Sequence, residues 1–349
     1  MKVNGDYCHD LLIAKTKQKL AYRTGENYAE WKKTIREKFY ELTGLNKIKK
    51  NAEGHPLNID IEKEEKKEGY TQIRFTFESE PGAVVPCYLL VPDTGKEKYP
   101  VVITLQGHYE GGMYGSIGEI RVESDKEYQP RGAFAVQAVR NGYIALALEQ
   151  RAMGERKSTE KMRANGQMCS FSALRAFQLG RTLIGERVWD ISRAIDCLAV
   201  YEKFEKCDLS KIAVTGNSGG GTASFYAGCF DERIGVVAPS CAFCSYKASI
   251  LDMAHCACNY IPHAYEWFEM QDLSCLIAPR KFVPIAGKED HIFPYYGVEE
   301  GWATVKKIYQ EENVEGNCRL VETPKGHFWC EEIVWQAINE AFESETVLH

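Results

Sequence analysis

The chain has 349 residues, 44% of them hydrophobic and 26% charged, a composition typical of one large globular domain with additions. Its 43 basic and 49 acidic residues give a net charge of -6 and are scattered along the chain, so we expect no nucleic-acid partner. The apolar run near the start is too short for a secretory core or a membrane span. Thirteen cysteines without framework spacing suit a reducing compartment, so we predict a cytoplasmic protein with no membrane partner.

Residues 1–69 are predicted to form an N-terminal helical extension. An amphipathic helix ending near Gly44 is indicated by Trp31, Ile35, Phe39 and Leu42, which recur at steps of three and four. The following run "DIEKEEKKEGY" mixes both charge signs without an apolar face, so we interpret it as a solvated connection.

From residue 72 onward, short β-type runs alternate with helical stretches, and the middle runs are almost continuously apolar. This pattern predicts an α/β fold with a mostly parallel sheet that helices cover on both faces. The runs are "QIRFTF", "AVVPCYLLVP", "PVVITLQG", "YIALALE", "KIAVTG", "IGVVAPS", "KFVPIAG" and "CRLVETP".

Two of the covering helices have a clear apolar face. One precedes residue 212 and repeats apolar side chains at Val188, Ile191, Ile195 and Leu198. The other is the last helix, around residues 329–342, for which we predict a face of Ile333, Ala337 and Ala341.

Ser218 lies in "VTGNSGGG", which fits Gly-x-Ser-x-Gly between a predicted strand and a predicted helix. That context is the one a nucleophile elbow requires. A serine on such a turn has a strained backbone, and the residues two before and two after it must be small. Its hydroxyl is then exposed at a helix N-terminus, where developing negative charge is favoured.

A serine hydroxyl needs a base, usually a histidine that a buried carboxylate orients. The expected chain order is serine, acid, histidine. Asp290 follows the strand run "KFVPIAG", and we favour it over Glu289 because Ile292, Phe293 and Pro294 would hold its loop. His327 lies between the last strand and the last helix. The predicted catalytic residues are therefore Ser218, Asp290 and His327.

An oxyanion hole needs two aligned N–H donors. We predict one from Gly219, directly after the nucleophile, and the other from the backbone of His108 in the loop "QGHYEGG". Gly107 would let the backbone approach the substrate oxygen.

Taken together, these segments resemble the α/β-hydrolases, and among them the acetyl xylan esterase-like and dienelactone hydrolase-like bacterial esterases. The resemblance covers residues 70–343 and includes "VVITLQGHYEGG", "GERVWDISRAIDCL", "VTGNSGGGTAS", "LIAPRKFVPIAGKEDHIFP" and "GHFW". It implies an α/β-hydrolase fold with an eight-stranded sheet, a catalytic domain at 70–349 with a small insertion around 241–275, and hydrolysis of carboxylic esters, often acetyl groups on sugars. No cofactor is implied.

The chain departs from that family's pattern at two loops. It has Gln106-Gly107 where many relatives have His-Gly, and Glu149-Gln150-Arg151-Ala152 where relatives often have Asp-x-Arg-Gly. We expect the lost glycine to alter the path of the second loop. We also expect Glu149 and Arg151 to form an ion pair that holds it.

Aromatic side chains near the proposed site could form a pocket wall. We predict that Tyr109, Tyr260 and Trp329 contact the substrate, and Asn259 and Trp267 are equally consistent with substrate contact or with packing. The segment 241–263 also contains four cysteines and two histidines, but Cys256-Ala257-Cys258 is a poor spacing for a zinc knuckle. We therefore predict buried thiols and no metal there.

The leading hypothesis is a serine esterase acting on a small-molecule or oligosaccharide ester. The same machinery would also suit a peptidase or lactonase, since the fold does not fix the substrate. Because the loops at Gln106 and at residues 149–152 depart from the family pattern, a third hypothesis is a homologue that binds carbohydrate without catalysis. The exposed face of the N-terminal helices could pack between subunits of a homo-oligomer.

Overall fold

The computed structural model describes residues 3–158 and 169–344. Ten strands in this part of the chain form one sheet. They are β1 (Asp60–Lys67), β2 (Tyr70–Glu78), β3 (Val84–Pro92), β4 (Tyr99–Leu105), β5 (Ile144–Leu148), β6 (Cys207–Asn217), β7 (Ile234–Ser240), β8 (Lys281–Phe282), β9 (Ile285–Gly287) and β10 (Val321–Thr323).

The sheet has the order β1-β2-β3-β5-β4-β6-β7-β9-β10, with β8 paired to β7. The pairs β1/β2, β2/β3 and β3/β5 are antiparallel. From β5 to β10 every pair is parallel. The predicted mostly parallel α/β architecture is therefore confirmed, and the carboxyl ends of β4, β6, β9 and β10 meet at one edge of the sheet.

The predicted number of eight strands is wrong, for two physical reasons. The run "KFVPIAG" forms two short strands because Pro284 has no N–H to continue the ladder between them. The run "DIEKEEKKEGY", interpreted as a solvated connection, instead forms the edge strand β1. Its side chains are mostly exposed, and charged side chains are what an unprotected sheet edge tolerates best.

Ten α-helices connect and cover these strands in the described residues. They are α1 (Tyr7–Lys15), α2 (Tyr28–Thr43), α3 (Leu45–Asn51), α4 (Phe134–Arg140), α5 (Ser170–Gln178), α6 (Leu183–Val200), α7 (Gly219–Phe230), α8 (Ala264–Trp267), α9 (Tyr295–Glu311) and α10 (Glu331–Glu343).

The predicted apolar faces are confirmed for two helices and shifted in a third. Helix α2 buries Trp31, Ile35 and Phe39 and ends at Gly44 in a left-handed conformation. Helix α6 buries all four predicted side chains. Helix α10 buries the predicted Ala337 and Ala341 but leaves Ile333 partly exposed. Its buried face is centred on Val334 and Ile338 and includes Trp335.

Helices α2 and α3 share the main hydrophobic core with the sheet, whereas α1 buries no side chain. Trp31, Ile35 and Phe39 of α2 belong to the same buried cluster as the core residues of α6 and α7. The ring of Phe39 stacks on that of Tyr226 in α7, with centroids 6.0 Å apart. The predicted boundary at residue 69 therefore does not separate two cores, and β1 lies on its N-terminal side.

None of the helices in residues 3–158 and 169–344 is both long and apolar enough to cross a membrane.

A buried ionic network joins the turn after β2, the loop after β5 and helix α6. The Asp190 carboxylate of α6 has no exposed side-chain surface and accepts from Arg151 at 2.9 Å and Arg156 at 2.7 Å. Glu80 in the turn pairs with Arg151 at 2.7 Å and with Arg181. Burial alone would raise the pKa of Asp190, but the two guanidinium groups outweigh it and lower the pKa to about 2.

We expect Asp190→Asn to destabilise the protein by about 3 to 5 kcal/mol, because it leaves two guanidinium groups buried without their shared counter-charge. Urea denaturation measures this change. Asp196→Asn is the matched control on the same helix: its pairs with Arg193 and Arg233 are partly exposed, so its effect should stay below about 1 kcal/mol. The pH dependence follows from the pKa of Asp190. A carboxyl group whose pKa is lowered by folding contributes stability that is lost on acidification. The wild type should therefore lose its advantage over Asp190→Asn as the pH falls from about 4 toward 2, and equal effects of the two variants at neutral pH would contradict this account.

Candidate active site

Ser218 occupies the sharp turn between β6 and α7. Its φ is 57° and its ψ -122°, a conformation that costs a non-glycine residue of order 1 to 3 kcal/mol. Glycine is required on both sides, because a Cβ on Gly216 would lie 2.3 Å, and one on Gly220 2.0 Å, from the carbonyl oxygen of Leu105 in β4. The turn therefore packs directly against the neighbouring strand, as the elbow prediction requires.

Asp290 and His327 meet at the same edge of the sheet. Nδ1 of His327 lies 2.9 Å from Oδ2 of Asp290, and the two side chains are 16% and 0% exposed. The backbone N–H groups of Ile292 and Phe293 donate to the other carboxylate oxygen at 2.8 and 3.0 Å. Burial acts to raise the pKa of Asp290, but the hydrogen bond and charge of His327 and these N–H groups hold the pKa below its ordinary value.

Cys241 connects this pair to the serine turn. The N–H of Ser218 donates to Ser240, the residue before Cys241, at 3.0 Å. The Cys241 sulfur lies within 4.8 Å of the ligand atoms of both Asp290 and His327. In the described residues, the Ser218 side chain does not cap α7 and no hydrogen bond joins it to His327. The structure thus brings acid and histidine into contact, and the contact of His327 with Ser218 stays a prediction.

The two predicted oxyanion donors lie side by side. A Cβ on Gly219 would stand 2.9 Å from two imidazole atoms of His108, and one on Gly107 would stand 3.1 Å from the carbonyl oxygen of Asn217. The backbone N–H groups of His108 and Gly219 make no hydrogen bond to any other described residue. The loop after β4 is thus held against the serine turn with two N–H groups free for a ligand.

Glu149 holds the oxyanion loop, residues 106–112 after β4, in place. Its buried carboxylate accepts from Nε2 of Gln106 at 2.7 Å and from the N–H groups of Met113 at 3.2 Å and Glu155 at 3.3 Å. Burial raises the pKa of Glu149 to about 7, against the opposing effect of the N–H groups of Met113 and Glu155. Gln106, a departure from the family pattern, is therefore part of the support for the loop.

The predicted ion pair between Glu149 and Arg151 is wrong. Arg151 pairs with Asp190, Glu80 and Glu186 instead, because its side chain points toward α6 while that of Glu149 points toward the oxyanion loop. Ala152, which replaces the family's glycine, has a φ of 66°. The loop thus keeps a left-handed residue at this position without glycine, at a cost of roughly 1 to 2 kcal/mol.

Two of the three predicted substrate contacts belong to the core. Tyr109 is 6% exposed and packs against Tyr128 with ring centroids 4.4 Å apart. Trp329 has no exposed surface, stacks on Phe134 and donates to Gln137 at 3.0 Å. These assignments are wrong because aromatic rings that flank a loop pack inward when an apolar cluster lies beneath them.

Tyr260 remains a candidate for substrate contact, and Phe328, which flanks the histidine in the sequence, is a second one. Tyr260 is partly exposed and its hydroxyl accepts from the N–H of His255 at 3.4 Å. Phe328, next to His327, is also partly exposed. The guanidinium carbon of Arg131 lies 4.3 Å from the centre of its ring. Phe328 thus stays a candidate for the pocket wall.

One group of side chains beside the oxyanion loop could hold a metal ion. The ligand atoms of His108, Cys169, Cys256 and Cys258 all lie within 4.8 Å of one another. Sequence reasoning considered only the contiguous segment 241–263, of which Cys256 and Cys258 are members, and did not connect it to His108 or Cys169. No spacing in the sequence signals this group, because its members come from three separate segments.

We expect Glu149→Leu to loosen the oxyanion loop, because leucine has a similar size but cannot accept from Gln106, Met113 and Glu155. Hydrogen exchange followed by mass spectrometry should show faster exchange for peptides covering residues 106–115 and 152–156. Glu110→Leu, on an exposed side chain of the same loop, is the matched control and should leave exchange unchanged. Unchanged exchange in Glu149→Leu would contradict the supporting role of this carboxylate.

Comparison with known proteins agrees with this architecture. A curated relative, the "Putative hydrolase YtaP" of Bacillus subtilis (strain 168), is 23% identical over 247 residues, which cover 70% of this chain and 78% of the relative. A crystal structure of a "putative acetyl xylan esterase" from Bacteroides fragilis NCTC 9343 superimposes with a TM-score of 0.73 at 18% identity, covering 93% of this chain and 83% of the other.

Two further solved structures share the fold. The glucuronoyl esterase from Solibacter usitatus has a TM-score of 0.65 at 16% identity and covers 95% of this chain and 100% of its own. Acetyl Xylan Esterase 1 from Thermoanaerobacterium sp. JW/SL YS485 has a TM-score of 0.60 at 15% identity, with 95% and 98% covered. A model of the Abhydrolase family matches residues 8–237. Since this match spans well over half of the sequence, the chain belongs to the Abhydrolase family.

Proposed function

We propose that the protein is a serine hydrolase of carboxylic esters that removes acetyl groups from acetylated saccharides or related small esters. The observation that carries the proposal is the hydrogen bond of 2.9 Å between His327 and the buried Asp290, at the sheet edge where Ser218 lies on a strained turn. Ser218 would be the nucleophile, His327 the general base and Asp290 the orienting acid.

The hydrogen bond to Asp290 uses Nδ1 of His327 and leaves Nε2 as the nitrogen that accepts a proton. His327 takes the proton of Ser218 as the hydroxyl oxygen attacks the ester carbonyl. The Asp290 carboxylate stabilises the imidazolium that forms. His327 then protonates the departing alcohol, which leaves an acyl group on Ser218, and a water molecule activated by the same nitrogen releases the acid.

The N–H groups of His108 and Gly219 are the proposed oxyanion hole. Gly219 is the first residue of α7, so its N–H has no carbonyl partner within the helix, and the helix dipole favours negative charge there. Each such donor typically contributes about 3 to 4 kcal/mol to transition-state stabilisation. The support of Glu149 matters here because an oxyanion hole acts only when its donors are fixed in advance.

The substrate class is supported by similarity and by two partly exposed aromatic rings. Two of the structures that share the fold are named acetyl xylan esterases and a third a glucuronoyl esterase, which favours an ester on a saccharide over a peptide amide. The partly exposed rings of Tyr260 and Phe328 offer apolar surface of the kind on which sugar rings stack. Neither feature distinguishes an acetyl ester from a lactone, so the assay must.

We expect Ser218→Ala to abolish hydrolysis of acetylated xylo-oligosaccharides and aryl acetates, and to abolish labelling by a fluorophosphonate probe, because no other residue would replace the hydroxyl. Ser224→Ala is the matched control. Its hydroxyl lies in the same helix, is fully buried and donates to the Gly220 carbonyl, so labelling should persist. A wild type that binds acetylated saccharides but neither hydrolyses them nor reacts with the probe would show a non-catalytic homologue.

We expect Asp290→Asn to lower kcat by about 10²- to 10⁴-fold. The N–H groups of Ile292 and Phe293 would keep the amide oxygen at the position they now bind, so the amide nitrogen would face Nδ1 of His327. Nδ1 would then have to accept a hydrogen bond from the amide. The imidazole proton would reside on Nε2, which could no longer take the proton of Ser218. Initial rates with an aryl acetate measure the loss.

Because the pKa of Asp290 is held below its ordinary value, the wild-type carboxylate is ionised throughout the neutral range, and the deficit should persist from about pH 6 to 9. Glu289→Gln, on the exposed neighbouring residue, is the control and should keep full activity. Loss of activity in Glu289→Gln with full activity in Asp290→Asn would make Glu289 the acid.

A further inference from the structure

Four side chains from three distant segments converge beside the serine turn. His108 lies in the loop after β4, Cys169 immediately before α5, and Cys256 and Cys258 in the insertion between β7 and β8. Nε2 of His108 lies 3.3 Å from the sulfur of Cys258, and the four ligand atoms are within 4.8 Å of one another. Ligand atoms bound tetrahedrally to Zn²⁺ at about 2.0 to 2.3 Å stand roughly 3.5 to 3.8 Å apart, so this separation suits a shared ion.

The surroundings of Cys169 and Cys258 are apolar and contain one buried cation. Ala152, Met153, Ala173 and Leu183 form a separate apolar cluster around Cys169 and Cys258, both fully buried. Arg187 is only 3% exposed. Its guanidinium donates to the Arg151 carbonyl at 2.9 Å and to the Cys169 sulfur at 3.4 Å, and it forms no ion pair with a carboxylate in the described parts of the chain.

A buried cation needs a compensating negative charge. Three thiolates and one neutral imidazole around Zn²⁺ carry a net charge of -1, and Arg187 would balance it. With three neutral thiols, none of the described residues would supply a negative charge to Arg187. A disulfide between two of the cysteines would do the same and would leave the third thiol and His108 without a role.

We propose that His108, Cys169, Cys256 and Cys258 bind one Zn²⁺ ion. Thiolate and imidazole ligands are the soft and borderline donors that zinc prefers, and Cys₃His is an established structural donor set. The protein supplies all four ligands, so the bound ion has no position open to water and acts structurally.

The ion would fix the oxyanion loop. Its ligand His108 is the residue whose backbone N–H is the proposed oxyanion donor, and its imidazole packs on Gly219. The Cys169 sulfur lies 3.6 Å from the Ala152 carbonyl oxygen, so the left-handed residue of the neighbouring loop lies next to the same cluster. One zinc ion with four ligands would thus join three segments that the sheet alone does not connect. This consequence, unlike the metal site itself, rests on the proposed function.

The test is metal analysis of the full chain purified under reducing conditions without chelator. Inductively coupled plasma mass spectrometry should find about one zinc per chain. Exchange of zinc for Co²⁺ should give the visible and near-ultraviolet absorption of a tetrahedral thiolate site. A wild type without bound transition metal, or one with a Cys169–Cys256 or Cys169–Cys258 disulfide under these conditions, would overturn the proposal.

Variants locate the ligands. Cys256→Ser and Cys258→Ser should each lower bound zinc by roughly tenfold or more, while Cys244→Ser, a fully buried cysteine outside the cluster, should retain it. Cys256 is partly exposed, so its variant should fold even if that of Cys258 does not. Full zinc content in Cys256→Ser together with full cobalt absorption would overturn the assignment.

Ser218→Ala separates this proposal from the proposed function. It should bind zinc and give the cobalt spectrum as the wild type does, because the serine side chain is not a ligand. Absence of esterase activity in a zinc-loaded wild type would refute the proposed function and leave the metal site standing. Esterase activity in a wild type that binds no metal would refute the metal site and leave the proposed function standing.

Discussion

The rest of the site depends on the close approach of the serine turn to strand β4. The Leu105 carbonyl oxygen lies so near to Gly216 and Gly220 that a Cβ on either would overlap it. This contact holds Ser218 at a positive φ and brings the loop after β4 beside the start of α7. The nucleophile and both proposed oxyanion donors therefore have their positions set by one packing contact in the middle of the sheet, and strain at Ser218 is held by the surrounding core.

Two buried carboxylates fix the loops around that contact in similar ways. Asp290 accepts hydrogen bonds from the N–H groups of Ile292 and Phe293 and orients His327. Glu149 accepts from the N–H groups of Met113 and Glu155 and from the side-chain amide of Gln106. In both cases the carboxylate satisfies backbone donors that would otherwise be buried without a partner, which is costly in a dry interior. Burial acts to raise the pKa of both: it prevails at Glu149, whereas at Asp290 the hydrogen bond and charge of His327, with the N–H groups, outweigh it.

His108 contacts both the serine turn and the cysteine cluster. Its backbone faces the space next to Ser218, and its imidazole faces three cysteines and Gly219. A side chain packed on one side against cysteine sulfurs and on the other against the start of a helix has little freedom, which favours a preorganised N–H. The same region contains Ala152 in a left-handed conformation and the buried Arg187, whose guanidinium donates to the Cys169 sulfur, so strain and buried charge lie close together.

The sequence by itself determined the elements with a strong local signal. These are the alternation of strands and helices, the apolar faces of α2 and α6, the serine turn between a strand and a helix, and the order of Ser218, Asp290 and His327. Only the tertiary structure decided the charged edge strand β1, the division of "KFVPIAG" at Pro284, the inward packing of Tyr109 and Trp329, the partners of Glu149 and Arg151, and the meeting of His108 with three cysteines. The physical reason is that periodicity and turn chemistry act between residues close in the chain, whereas burial, ion pairing and ligand clusters depend on which distant segments the sheet brings together.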